Sequence, residues 1–192
     1  MHFIDMKNIK EKAAMLALAL AVLASNAFAF PANDSRQPEL PADCGSIEVP
    51  QGNKVAFHAY AIGVQIYRWN GAAWTLLAPS AKLFADAGYN GKVGIHYEGP
   101  RWESNSGSVV QAARVPGTGC TPDSSAIAWL LLKTVSTEGP GVFSKVTYIQ
   151  RVATAGGLAP TAPGTIVGEE KRVPYTAEYY FYRAQGKQEE GE

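Results

Sequence analysis

The segment His96–Glu103 (HYEGPRWE) carries the side chains best suited to chemistry. His96 and Glu98 lie two residues apart, so they share one face of any strand that continues through them. A Gly-Pro pair then bends the chain and could bring Glu103 into the same cleft. One histidine with two carboxylates suits general acid–base catalysis, as in a glycoside hydrolase, or the binding of a cation. His96, Glu98 and Glu103 are therefore the candidate catalytic residues, and the alternative is a solvated strand face.

Aromatic side chains are the second feature with chemical potential. Trp69, Trp74 and Trp102, with the neighbouring Arg101, are candidate ligand-binding residues, because sugar rings stack on aromatic faces. Four tyrosines near the end of the chain could extend such a platform: Tyr175, Tyr179, Tyr180 and Tyr182. The same residue types also fill the cores of sandwiches and the ends of barrels, so the core interpretation stays open.

Other kinds of site find less support in the sequence. Beyond residue 29 the histidines are His58 and His96, on different predicted strands, so no metal site is predicted. No G-x-S-x-G or G-x-G-x-x-G motif occurs, which argues against a hydrolase nucleophile elbow and against a dehydrogenase. No cofactor is predicted. Arg151 and Thr154–Gly157 follow a predicted strand and could present N–H groups to an anion, or simply form a turn.

The first residues have the pattern of an export signal. Three lysines precede the apolar run Ala13–Ala24, and Ala27-Phe28-Ala29 has the small-x-small pattern that a signal peptidase recognises. Cleavage is predicted between Ala29 and Phe30. Twelve apolar residues are too few to span a bilayer, which takes about 20, so no transmembrane anchor is expected after cleavage. We therefore expect an exported protein, periplasmic or extracellular.

The predicted cleavage also changes the charge. The full chain of 192 residues has 17 Lys+Arg and 17 Asp+Glu. Loss of residues 1–29 removes three lysines and two acidic residues, which leaves 14 basic and 15 acidic residues in a mature chain of 163. A slightly acidic chain without a basic patch excludes nucleic acid as a partner. The mature length suits one domain with a sufficient core.

Both cysteines, Cys44 and Cys120, survive the predicted cleavage. An even number of cysteines in an oxidising compartment predicts a disulfide, with two free thiols as the alternative. Such a bridge would close a long loop and stabilise the fold by up to ~4.5 kcal/mol in the chain-entropy model.

Alternation of apolar and polar residues dominates the mature chain and predicts an all-β fold. About eight or more strands, separated by turn residues, are typical of a single-domain antiparallel β-sandwich or barrel. We expect a Pro-rich N-terminal arm at residues 30–46, a β domain at 47–183 and a disordered charged tail at 184–192. Ala126–Val135 is apolar on both faces and predicts a buried central strand.

Local turn signals predict the register of the first hairpin. Asn70-Gly71 is typical of a two-residue turn, which would place Trp69 opposite Ala72 and Tyr67 opposite Trp74. Gly63, within the preceding strand, indicates a bulge.

Six segments occur in an order that resembles the bacterial and fungal family catalogued as domain of unknown function 3455: GVQIYRWNGAAW, APSAKLF, GIHYEGPRWE, AWLLLK, VTYIQRVATAGGLAP and VPYTAEYYFY. The similarity covers residues 47–182. The resemblance implies a small secreted protein of one domain and supplies no catalytic residue. It also implies a cysteine where Trp69 stands and a second one near Gly164. This chain has neither, and the resemblance suggests that Cys44 and Cys120 form its bridge instead.

Three functional hypotheses follow. The first is a secreted non-enzymatic β domain that binds a glycan, a cell-envelope component or a small ligand. The second is a secreted hydrolase that uses His96 with the Glu98 and Glu103 carboxylates. The third is a structural protein of the envelope or matrix, which would self-associate. The first two differ in geometry, because a hydrolase needs its three side chains in one concave pocket with a desolvated carboxylate.

Overall fold

The computed structural model describes residues 36–186. The predicted leader with its cleavage site at Ala29 and Phe30, and the last six residues of the predicted tail, lie outside the described residues. Within the predicted tail, Ala184 still belongs to a strand, and the Gln185 amide donates to the Gly52 carbonyl oxygen at 2.8 Å.

Eight antiparallel strands follow one another around a closed barrel, and the last strand pairs with the first. This confirms the predicted all-β antiparallel fold and selects the barrel over the sandwich. The strands are β1 Asn53–Trp69, β2 Trp74–Phe84, β3 Lys92–Tyr97, β4 Arg101–Ser104, β5 Val109–Arg114, β6 Leu130–Glu138, β7 Val146–Gly156 and β8 Glu170–Ala184.

The closure between β1 and β8 depends on small residues facing large ones. Ala59 lies opposite Tyr179 and Gly63 opposite Tyr175, so the aromatic rings of β8 fill space that β1 leaves free. Gly63 also permits close packing, because a Cβ there would lie 2.4 Å from the Ala81 Cα. The prediction of a bulge at Gly63 is wrong: β1 is irregular at Val55/Phe57 and at Ile66/Tyr67 instead.

The first hairpin differs from its predicted register. Trp69 pairs with Trp74, and Tyr67 pairs with Leu76, so the turn has four residues rather than two. The cause is the Asn70 side chain, whose Oδ1 accepts hydrogen bonds from the Ala72 and Ala73 amides at 2.9 and 2.8 Å. This side-chain cap stabilises a longer turn than the Asn-Gly pair alone indicates.

Two other segments differ from expectation. Arg101–Ser104 is strand β4, paired with β3 and β5, instead of a bend that opens a cleft. The predicted strand Ala126–Val135 begins only at Leu130. The residues before it cross one end of the barrel, where the Ile127 amide donates to the Gly156 carbonyl oxygen at 2.9 Å. Their apolar character reflects burial against the barrel end.

A short 3₁₀ helix, Ala42–Ile47, packs on the outer wall of the barrel. A disulfide joins Cys44 to Cys120, with the two Cα atoms 5.2 Å apart, and Ile47 is fully buried beside it. The Gln150 amide nitrogen also donates to the Ile47 carbonyl oxygen at 2.8 Å. The predicted disulfide is therefore present, and the last residues of the predicted arm pack against the barrel. No helix within residues 36–186 is long and apolar enough to cross a membrane.

One end of the barrel interior is filled by phenylalanine. Phe57, Phe143 and Phe181 pack together, with ring centroids 4.7 to 5.8 Å apart. Phe143 and Phe181 are fully buried. We call these three residues the aromatic end.

Candidate functional site

The other end of the interior is polar. Strands β1, β3, β7 and β8 each place polar side chains on their inward faces there, because alternate residues of a strand point to the same side. We call this set the polar end: Gln65, Tyr67, His96, Arg151, Tyr175 and Tyr179.

Backbone segments close the polar end and hold its side chains. The Tyr67 hydroxyl donates to the Gly157 carbonyl oxygen at 2.7 Å. Arg151 donates through Nε and Nη2 to the Ala128 carbonyl oxygen at 3.2 and 2.6 Å. These acceptors lie in the β7–β8 and β5–β6 loops, so the two loops and the inward side chains form one connected structure.

Arg151 lies close enough to the other polar groups to affect them. Its guanidinium lies close enough to Tyr179 to oppose the rise in the pKa of that hydroxyl, which lies 3.4 Å from the Tyr175 hydroxyl. Burial raises the pKa of Tyr67, Tyr175 and Tyr179, and the positive charge of Arg151 opposes that rise in each case. All three tyrosines are therefore neutral hydrogen-bonding groups at physiological pH.

His96 is a neutral base at this end. It is 4% exposed, and burial lowers its pKa from 6.5 to about 3, with the Arg151 charge acting in the same direction. Its Nδ1 lies 2.8 Å from the Arg101 carbonyl oxygen, which can only accept, so Nδ1 carries the proton and Nε2 is the basic nitrogen. The ring stacks on Trp102, with centroids 4.2 Å apart.

Gln65 is the exceptional residue of the polar end. It is 2% exposed, yet neither its amide oxygen nor its amide nitrogen has a hydrogen-bond partner within residues 36–186. The Nε1 of Trp102 is buried without a partner in the same way. Leaving a buried polar group unpaired costs about 1–3 kcal/mol per group, so such groups call for an explanation.

The rim above the polar end carries the predicted tryptophan pair. The Trp69 and Trp74 rings lie 5.5 Å apart, and Trp74 Nε1 donates to the Ala162 carbonyl oxygen at 2.8 Å. They line a shallow cleft of about 300 Å³ together with Pro160 and Pro163. Trp69 continues the inward face of Gln65 and Tyr67 along β1, which places this cleft at the same end of the barrel.

The structure does not bring the three candidate catalytic residues together. His96 points into the barrel, whereas Glu103 lies on the outer face of β4, where it accepts from the Tyr97 hydroxyl at 3.3 Å. Glu98 is exposed in the β3–β4 turn, because β3 ends at Tyr97 and does not continue through it. The shared concave pocket that a hydrolase requires is not formed by these side chains.

The four candidate ligand-binding residues occupy three places. Trp69 and Trp74 form the rim pair, and Trp102 is 1% exposed inside the barrel. Arg101 lies on the outer wall, where its Nη2 donates to the Gln111 side-chain oxygen at 3.4 Å. The four tyrosines divide likewise: Tyr175 and Tyr179 face inward, while Tyr180 contacts His58 outside.

From the sequence, Arg151 and Thr154–Gly157 are expected to present N–H groups to an anion or to form a turn, whereas the structure places Arg151 and Thr154 within β7. Gln65 and Tyr67 were missed as site residues. A signal for these two was present. Phe57, Ala59 and Ala61 establish the inward phase of β1, and Gln65 and Tyr67 continue it with polar groups. A polar residue on the buried phase of a strand is the pattern that indicates an internal site.

Among residues 36–186, no set of side chains is arranged to bind a metal ion. Their one His/Cys/Asp/Glu group with close ligand atoms is Asp43, Cys44 and Cys120, and its two sulfurs form the disulfide. His58 lies on the outer wall, 2.9 Å from Glu178 through Nε2, while His96 is inside. The two histidines are therefore on opposite sides of the barrel wall.

Comparison with known proteins yields one match. A family model described as "Protein of unknown function (DUF3455)" matches residues 50–183, which confirms the resemblance expected from the ordered motifs. No curated protein and no solved structure matches the chain. The two positions where the resemblance implies cysteines are in contact here: a Cβ on Gly164 would lie 2.8 Å from the Trp69 Cβ.

Proposed function

Because the chain belongs to the DUF3455 family, whose function is unknown, we propose a function from its own geometry. The protein is an exported, non-enzymatic domain that binds a small ligand in the polar end of its barrel. The ligand occupies the surroundings of Gln65, beneath the loops that hold Tyr67 and Arg151.

The unpartnered amide of Gln65 is the observation that carries this proposal. A second buried glutamine provides the contrast: the Gln150 amide nitrogen donates to the Ile47 carbonyl oxygen, and its amide oxygen accepts from the Tyr182 hydroxyl at 2.7 Å. Both glutamines are 2% exposed. One is satisfied by the fold and the other is not, so Gln65 is the group for which a bound molecule supplies the missing partners.

A binding role also fits the remaining chemistry. Within residues 36–186, His96 has no carboxylate beside it, because Glu98 and Glu103 lie in the turn and on the outer wall. Inward tyrosines kept neutral by burial offer hydrogen bonds and apolar surface rather than nucleophiles. These are the properties of a recognition site.

Export is proposed from two features. The basic and apolar pattern before Ala29 is that of a cleaved signal peptide, and the Cys44–Cys120 disulfide is of a kind that persists in oxidising compartments. Expression of the full chain in a Gram-negative host, with mass spectrometry of the periplasmic fraction, tests this. We expect a polypeptide that begins at Phe30. Retention of the uncleaved chain in the cytoplasm would contradict export.

The binding proposal is tested by native mass spectrometry of the purified chain with a panel of small compounds: neutral sugars, amino acids, organic acids and their amides. We expect one class to bind with 1:1 stoichiometry and to lose at least tenfold in affinity in the Gln65→Met variant. Gln111→Met is the matched control, because Gln111 lies on the outer wall and donates to the Gly99 carbonyl oxygen. Absence of binding across the panel, or equal loss in both variants, would overturn the proposal.

The tryptophan rim supports glycan binding as a second candidate function. Trp69 and Trp74 are half-buried and line an open cleft, as a sugar-stacking platform requires. A glycan array with Trp74→Ala tests it, with Leu76→Ala as the control because Leu76 is an exposed apolar neighbour on the same strand. Binding that is lost only in Trp74→Ala supports this function, and an array without binding excludes it.

A further inference from the structure

We infer that the ligand of the polar end is a small organic monocarboxylate, with Arg151 as its counter-charge. The inference rests on the proposed function and names the chemical class that the polar end selects.

The charge balance around Arg151 is the first step. Within residues 36–186 no carboxylate lies within ion-pair distance of its guanidinium, although the side chain is half-buried inside the barrel. The carboxylates of β8 and the loop before it are engaged elsewhere: Glu178 with His58, Glu170 with Arg68 and Glu169 with Lys171. A partly desolvated cation is normally paired, so an anion is the missing component.

Hydrogen bonding is the second step. A guanidinium has five N–H groups in a planar fork. Arg151 donates through Nε and Nη2 to the Ala128 carbonyl oxygen and interacts with Tyr179. N–H groups of its guanidinium therefore remain to donate to a ligand. These contacts also hold the fork in place, which favours a carboxylate because its two oxygens match the spacing of paired N–H groups.

The number of positive charges is the third step. His96 is the other nitrogen base at the polar end, and it is neutral because burial lowers its pKa to about 3. Tyr67, Tyr175 and Tyr179 are neutral too. The polar end therefore offers a single positive charge, which balances a monoanion and leaves a dianion such as phosphate undercompensated.

The residues around Arg151 indicate the chemistry of the rest of the ligand. The neighbours of the charge are aromatic and aliphatic: Trp102 stacked on His96, Tyr179 edge-on to both, and Ile127 and Leu130 packed against the core. An apolar or aromatic body suits these walls. The Gln65 amide and Trp102 Nε1 then offer partners to one further polar group on that body.

The test compares an acid with its neutral isostere on the purified disulfide-bonded chain. Isothermal titration calorimetry with phenylacetate, phenylacetamide and inorganic phosphate gives the three affinities. We expect phenylacetate to bind at least tenfold more tightly than the amide or phosphate. Arg151→Gln should abolish this preference, and Arg151→Lys, which keeps the charge without the fork, should retain part of it. Arg101→Gln on the outer wall is the matched control and should bind as the wild type does.

The outcomes separate the inference from the proposed function. Equal affinity for acid and amide, lost in Gln65→Met, would leave the binding proposal standing and overturn the monocarboxylate. Phosphate binding that equals phenylacetate binding would also overturn it. Failure of every probe in the wider panel would overturn both. Circular dichroism of each variant ensures that lost binding is scored only on folded protein.

Discussion

The two ends of the barrel interior share strands β1 and β8 and have opposite chemistry. At the aromatic end, the side chains of Phe57, Phe143 and Phe181 contact one another and carry no polar atom that needs a partner. At the polar end, Arg151 donates to a carbonyl oxygen and lies close to a tyrosine, and Gln65 has no partner within the described part of the chain. Apolar packing like that of the aromatic end is sufficient for a stable interior. The unpartnered polar groups of the polar end therefore indicate a functional site.

The outer surface of the barrel beside the aromatic end also differs from the polar end. A cleft of about 350 Å³ there is lined by Lys54, Lys145 and Arg183, of which Lys145 and Arg183 are exposed. Lys145 and Arg183 are hydrated, whereas Arg151 is partly removed from water. Removing a charge from water costs free energy that an exposed charge does not lose. The half-buried Arg151 therefore indicates a functional site more clearly than the exposed cations do.

The largest expected effect is on the aromatic end. Phe181→Ala should lower the free energy of unfolding by about 4 kcal/mol, because it removes a fully buried ring and leaves a cavity. Urea denaturation followed by tryptophan fluorescence measures it. Val135→Ala, at an exposed position on β6, serves as the control and should change stability by less than ~0.5 kcal/mol. Similar values for the two variants would mean that the aromatic end does not support the fold.

The disulfide should have the next largest effect. Replacing Cys44 and Cys120 together by alanine should cost about 3 kcal/mol, because the bridge restrains a long segment of the unfolded chain. The two residues are 76 apart in sequence. Denaturation of the double variant and of the wild type, both without reductant, measures the difference. Because the bridge lies on the outer wall, ligand binding at the polar end should persist, and its loss would show that the two regions are coupled.

Acidification should lower the folding stability by protonating His96 at the polar end. His96 has a folded-state pKa of about 3 and an ordinary value of 6.5, so between these values the unfolded state binds the extra proton. Stability is therefore complete above pH 6.5 and falls as the pH drops, by about 2 kcal/mol between pH 7.5 and pH 5. Thermal unfolding across that range measures it.

The controls for this pH dependence are two histidine variants. His96→Asn removes the titrating group and should flatten the profile, whereas His58→Gln on the outer wall should leave the slope in place. The chosen range lies above the ordinary carboxyl pKa values, so protonation of groups such as Glu178 contributes little there. A slope that disappears in His58→Gln instead would contradict the assignment.

The smallest expected effect on stability is that of Gln65→Met, and it distinguishes an unpartnered buried glutamine from a partnered one. Gln65→Met should raise the free energy of unfolding by about 1 kcal/mol without ligand, because an apolar chain of similar size replaces an unpartnered amide. Gln150→Met, at equal burial, should lower it by about 2 kcal/mol, because it removes the two hydrogen bonds that the Gln150 side chain makes to the Ile47 carbonyl and the Tyr182 hydroxyl. Two changes of the same sign would mean that Gln65 is satisfied in solution.

Much of the fold was predictable from local pattern. Alternation in Val55–Ala61 and Tyr175–Tyr182 indicated strands, and the Asn105–Gly107 turn was correctly located. The faces were assigned correctly from Phe57 onwards, whereas the irregularity at Val55/Phe57 puts Val55 out of the predicted phase. The first hairpin was predicted wrongly, because its length depends on a hydrogen bond of the Asn70 side chain that the Asn-Gly pair does not specify.

The candidate site was less predictable, and His96 shows why. Its proximity in sequence to Glu98 and Glu103 suggested a shared cleft, but a strand separates neighbours onto opposite faces, and β3 ends before Glu98. Its neighbours are Trp102 and the Arg101 carbonyl on the adjacent strand β4, together with Tyr179 and Arg151 from the distant strands β8 and β7. Nothing near His96 in the chain indicates the contacts with β8 and β7, because they arise from pairing between distant strands.

The sequence by itself determined the β class and favoured the two-cysteine bridge, since each depends on residue type or on the two-residue period of a strand. The tertiary structure alone decided that the strands close into a barrel and that Gln65, His96 and Arg151 meet at one end of it. Closure and register depend on pairing across the whole chain, for example Ala59 with Tyr179. A local period assigns a side chain to a face, and only that long-range pairing decides which side chains share the interior.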